Sequence, residues 1–288
     1  MSTLRGDQAR TRSVPMVRGW VSDHRLTSYV VLAYVLSWAY WVPLVLGSRS
    51  VDTGVGWPSQ MPGLAGPAIS ALVVTAVIGG RAGLAGLWQR LTRWRVGWWW
   101  LSVPAVLTAG ALGLALVRGA TDTGALTGYN GISAGVGPVA TIVLVLVLNG
   151  FGEETGWRGF LADDLLRRHS LTVTALLVAL VWAPWHAPLF FFQSTFSDFS
   201  LAAVVGWAIG LTAGSVVLTW LYRGASRSIL LVAVWHTAFN FTSATPAAAG
   251  TVAAITSTLV MLAAVVIIVA DQRKPEPAAL SSPTPDER

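Results

Sequence analysis

The chain contains no cysteine among its 288 residues. That excludes disulfides and every thiolate metal site, and it leaves the redox compartment unmarked. Charge is scarce as well: 11% of residues are Asp, Glu, Lys or Arg, against about 25% in a soluble domain. So little charge does not cover a water-facing surface. The net charge of +6 would suit nucleic acid if it formed one basic face. Instead it lies between apolar runs, and no nucleic-acid partner is expected. The basic N-terminus lacks a convincing cleavage site, so the first apolar stretch reads as a retained anchor rather than a removed signal peptide.

What is present is apolar. Hydrophobic residues make up 54% of the chain, and 15 are tryptophans, many near the ends of apolar runs, where indoles settle at a membrane–water interface. Eight stretches approach the length of a membrane span: 28–47, 63–80, 99–117, 136–152, 171–192, 200–221, 229–245 and 251–270. The expected fold is therefore an all-α membrane protein, a bundle of about eight transmembrane helices. Between the second and third spans, Leu84, Leu87, Trp88, Leu91 and Trp94 share one helical side, as in an amphipathic helix lying in the interface. A polar, basic tail (1–27), one membrane domain (28–270) and a disordered, proline-rich tail (271–288) complete the organisation. The loops after spans two, four and six, together with both tails, hold all of the 19 Lys and Arg except Arg49 and Arg118. Positive charge marks the cytoplasmic side, so both termini are expected in the cytoplasm, with the lipid bilayer as the principal partner. The Arg- and Ala-rich, Lys-poor composition points to a bacterial plasma membrane.

Few groups can carry chemistry. Glu153 and Glu154 are the acids most tightly joined to an apolar span, in GFGEETGWRGFL. Of four histidines, His24 and His169 sit in polar segments, whereas His186 and His236 lie inside apolar helices. Asn240 follows His236 by four residues and shares its helical face. Ionisable groups in a membrane face one another or a wet cavity, so groups on three separate spans point to one shared polar site. Their depths disagree, however: Glu153 falls near the cytoplasmic end of span four, His186 two-thirds along span five and His236 midway along span seven. Taken singly, each has a duller account. Glu154 and Arg158 make a helix-end salt bridge, His186 bonds a carbonyl freed by its flanking prolines, His236 and Asn240 glue two helices, and Trp182 packs. Asp163, Asp164, Arg167 and Arg168 read as a solvated helix end.

EETGWRGF resembles the E-E-x-x-x-R motif of the CPBP (Abi) intramembrane endopeptidases, which include the type II CAAX prenyl proteases. Trp182 and His186 resemble that family's second motif, an aromatic residue, usually Phe, four before a histidine. His236 and Asn240 match its third, H-x-x-x-N. The resemblance covers residues 135–245. It implies peptide hydrolysis with Glu153 as general base, His186 holding the water, and His236 and Asn240 donating to the oxyanion. Glu154 and Arg158 would fix the catalytic helix, and Trp182 would form an aromatic wall. The implied substrate is a hydrophobic or membrane-anchored peptide, or a lipidated protein. No cofactor is expected. A zinc variant would use Glu153, His186 and His236 as ligands, although the histidines lack the H-E-x-x-H spacing of zinc proteases. The alternatives are a non-catalytic bacteriocin-immunity or binding protein of the same family, and a proton-relaying transporter.

Overall fold

The structure, a computed structural model, describes residues 18–117 and 128–273. Most of the expected N-terminal tail and the C-terminal tail beyond residue 273 lie outside the described residues. Eight main helices follow one another: α1 (Arg25–Leu46), α2 (Gly66–Leu91), α3 (Ser102–Val117), α4 (Pro138–Leu165), α5 (Leu171–Trp185), α6 (Leu201–Gly224), α7 (Ile229–Ser243) and α8 (Thr251–Gln272). Among the described residues, six helical segments are long and apolar enough to cross a membrane; α3 and α7 are shorter. Large apolar side chains such as Val139, Leu180, Leu201 and Val266 remain mostly exposed, as expected where the surroundings are lipid. The molecule is an all-α, multi-pass membrane protein.

Two local features shape the bundle. Gly80 takes φ 54° and ψ −145° inside α2, a conformation that glycine adopts freely and other residues resist. The break separates a spanning segment from the amphipathic stretch that the sequence placed in the interface. In α4, π-helical turns at Val145–Phe151 and Trp157–Ala162 flank the α-helical Gly152–Gly156. Such bulges are frequent at functional sites. The helix thus runs straight through the acidic motif instead of ending before it.

The two ends of the bundle differ. At one end, Asp163 pairs with Arg90 at 3.1 Å and Arg227 at 3.1 Å, and accepts from the Tyr222 hydroxyl at 2.9 Å. Asp164 pairs with Arg25 at 2.6 Å, and Asp271 joins Arg223 at 3.3 Å to the Thr172 backbone N–H at 3.1 Å. These contacts tie α1, α2, α4, α5, α6 and α8 together. Asp163 and Asp164 are buried, which corrects their reading as a solvated helix end: each neutralises arginines brought in by neighbouring helices. At the far end, three loops interlock. Gln60 donates to the Asn130 carbonyl at 2.8 Å, Asn130 donates to Thr195 Oγ1 at 2.5 Å, and Val51 bridges to Gln193.

Candidate active site

Glu153 sits twelve residues before the end of α4, about 18 Å of helix from the arginine end, not at the membrane surface. Helix α7 starts higher than its neighbours, because Ile229 packs on Gly159: a Cβ added to Gly159 would lie 2.6 Å from Ile229 Cδ1. From that level, Glu153 and His236 are about 9 Å and about 10.5 Å along their helices. The apparent mismatch of depths came from ending span four at residue 152. His186 caps α5, where Pro184 and Pro188 interrupt the helix, and it too reaches the middle of the bundle.

Adjacent residues on a helix diverge by about 100°, so the two glutamates face different partners. Glu153 accepts from Asn149 Nδ2 at 2.5 Å through one oxygen and from Trp182 Nε1 at 2.7 Å through the other. Asn149 Oδ1 in turn accepts from Asn240 Nδ2. Glu154 Oε1 accepts from Arg158 Nη1 at 2.9 Å and from His236 Nδ1 at 2.8 Å. Both Glu154 and Arg158 are fully buried. Two further guanidinium nitrogens of Arg158 lack hydrogen-bond partners, but its carbon lies 4.5 Å from the centroid of the Trp182 ring. That ring face supplies an attraction of its own for the cation. His186 Nδ1 lies 2.8 Å from the Trp182 carbonyl, and a carbonyl only accepts, so Nδ1 carries the proton and Nε2 is the accepting edge.

All seven residues singled out from the sequence therefore gather in one region. Glu153, Trp182, His186, His236 and Asn240 line a cavity of about 570 Å³, while Glu154 and Arg158 stand behind it. Sequence reasoning missed two members. Asn149 bridges Glu153 and Asn240; the signal was a carboxamide inside the apolar run VLVLNGF, four residues before Glu153. Tyr129 also lines the cavity, on a loop held by the hydrogen bonds of Asn130. Burial pushes its phenol pKa up; the Glu153 charge adds to that shift and Asn240 opposes it. Nothing in the sequence marked it. Trp182 also does more than form a wall, since its N–H holds the carboxylate, a contact unavailable to phenylalanine.

The donors do not assemble into a metal site. Among the described residues, no group of three His, Asp or Glu side chains is placed to hold a metal ion; Nδ1 of each histidine is hydrogen-bonded and Nε2 is left open.

Residues 135–242 match the family model described as type II CAAX prenyl endopeptidase, Rce1-like. This stretch contains all three motifs. Over this stretch the chain is similar to the CPBP family. A CAAX prenyl protease 2 from Methanococcus maripaludis is 27% identical over 103 residues. That match covers 34% of this chain and 38% of the relative, so the chain spans well under half of that relative's length.

Proposed function

We propose that the chain is an intramembrane endopeptidase that hydrolyses apolar or membrane-anchored peptides with a water activated by Glu153. The observation that carries this reading is the buried network in which one glutamate, without a cation partner, faces the cavity, while its neighbour is bound to arginine. The Glu153 carboxylate has about four lone-pair positions, and its two protein bonds leave capacity for a water. His186 Nε2 can accept from the same water. As the water oxygen attacks the peptide carbonyl carbon, Glu153 takes its proton and the carbonyl π pair moves onto oxygen. The second N–H of Asn240 donates to that oxyanion, as does His236 Nε2 when the ring carries both protons. Collapse breaks the C–N bond: nitrogen takes the electron pair and the proton held by Glu153, releasing an amine and a carboxylic acid. General-base catalysis contributes about 10²–10⁴-fold, and one oxyanion donor about 10²–10³-fold.

The cavity walls, among them Leu189, Phe196, Trp207 and Phe239, favour apolar side chains next to the scissile bond. The clustering of Arg25, Arg90, Arg223 and Arg227 at one end supports an orientation with that end in the cytoplasm of a bacterial plasma membrane. The test compares the membrane proteomes of cells expressing wild type and Glu153→Gln. A peptide cleaved only with the carboxylate intact is expected. Identical peptide patterns, with the cellular phenotype retained, would replace hydrolysis with a binding or immunity role.

A further inference from the structure

We infer that the catalytic cavity is entered from the extracytoplasmic side, so that its substrates are uncharged, apolar polypeptide segments presented at the outer leaflet. The inference builds on the orientation and the endopeptidase reading proposed above.

Toward the arginine end the bundle is closed. Trp157 and Arg158, just beyond the glutamates on α4, are fully buried. Gly159 is in contact with Ile229, and the ion pairs on Asp163, Asp164 and Asp271 lock the helix ends below. The loops at that end contribute nothing to the cavity lining.

Toward the far end the lining continues outward. Gln60, Tyr129, Asn130, Gln193 and Thr195, from the three interlocked loops, all border the cavity. Helices α6 and α8 are joined at the arginine end through Arg223 and Asp271, yet their opposite ends, at Gly206, Gly210, Ala253 and Ser257, line the cavity. A Cβ added to Gly206, Gly210 or Gly214 would meet nothing within 4 Å, so this wall is open space rather than helix packing. Among the described residues, the lining holds no carboxylate besides Glu153 and no lysine or arginine. A charged segment would be desolvated there without a partner, which is costly. An uncharged apolar segment is accommodated, with the loop carboxamides and hydroxyls available to its backbone.

The absence of cysteine from the chain makes the test direct. Three single-cysteine variants are made: Ser257→Cys in the cavity, Ser197→Cys on the exposed far end and His169→Cys on the exposed arginine end. Each is treated, in sealed right-side-out vesicles, with a maleimide made membrane-impermeant by a charged group at the far end of a flexible, uncharged linker, so that only the neutral maleimide enters the cavity. Labelling of Ser197→Cys and Ser257→Cys is expected, with His169→Cys labelled only after permeabilisation. Labelling of His169→Cys in sealed vesicles overturns the orientation. Labelling of Ser257→Cys only from the side that reaches His169→Cys, or from neither side, overturns the direction of access. A fluorogenic apolar peptide separates this inference from the enzyme reading. Cleavage in detergent and by right-side-out vesicles supports both. Cleavage in detergent and by inside-out vesicles alone refutes the access route and leaves the protease. No cleavage in detergent refutes the endopeptidase reading, whatever the labelling pattern.

Discussion

The two adjacent glutamates should respond oppositely to the same substitution. Glu154 Oε1 accepts both the Arg158 and the His236 bonds, while its Oε2 is buried without a partner. Glutamine at position 154 can keep both bonds through its single oxygen. What it removes is the charge that neutralises a fully buried guanidinium. Breaking a buried pair by deleting one charge costs about 3–5 kcal/mol, because the other charge stays in low dielectric. At about 2 °C per kcal/mol for a large chain, Glu154→Gln should lower the thermal midpoint in detergent by roughly 6–10 °C. Glu153 has no cation partner, only the Asn149 and Trp182 bonds. Glu153→Gln removes an unpaired buried charge and should leave the midpoint unchanged or raised, as happens where stability has been given up for function. Thermal unfolding of both purified variants, followed by intrinsic tryptophan fluorescence, reads the difference. Equal midpoints, or a larger loss for Glu153→Gln, would refute the division of labour between the two acids.

Other perturbations follow from the same geometry. Asn149→Ala removes a charge-assisted bond worth about 1.5–3 kcal/mol, so peptide turnover should fall about 10–100-fold with little change in KM; a wild-type kcat would remove Asn149 from the site. Burial lifts the Tyr129 phenol above its ordinary 10.0, so the group stays protonated at neutral and mildly alkaline pH. Tyr129→Phe should lower kcat about fivefold, with a pH profile parallel to wild type below pH 10.0; a lost alkaline limb would show that the phenol titrates. A Cβ on Gly156 would lie 2.4 Å from Tyr29 Oη and 2.7 Å from the Pro67 carbonyl. Gly156→Ala should therefore destabilise by about 1–3 kcal/mol, read as a lower thermal midpoint; an unchanged midpoint would mean that the α1–α2–α4 contact is loose.

Much of the fold was legible because hydropathy reports what lipid requires. The apolar runs became helices in the expected order, and the leucine and tryptophan pattern after Gly80 forms a helical segment that stops at Leu91, leaving Trp94 beyond its end. The arginine asymmetry corresponds to a physical end of the bundle, where loops distant in sequence share Asp163. Less legible was the course of α4. Charged residues look like a helix terminus, yet Glu154 and Arg158 cancel each other and let the helix continue through them to Leu165. The same neutralisation hid the burial of Asp163 and Asp164, whose partners lie on other helices. Asn149 was a readable polar residue in an apolar run; Tyr129 was not, since only tertiary contacts between three loops bring it to the cavity. The Trp182 N–H shows that replacing one aromatic residue by another can add a hydrogen bond to a carboxylate.

Hydrolysis of a fluorogenic apolar peptide by purified Glu153→Gln, beside wild type in the same detergent, tests the central claim most directly. Turnover should fall by at least about 10²-fold, the lower bound for losing a general base, with the variant still folded and still binding peptide. Turnover at the wild-type rate would contradict the assignment of Glu153 as the group that activates water.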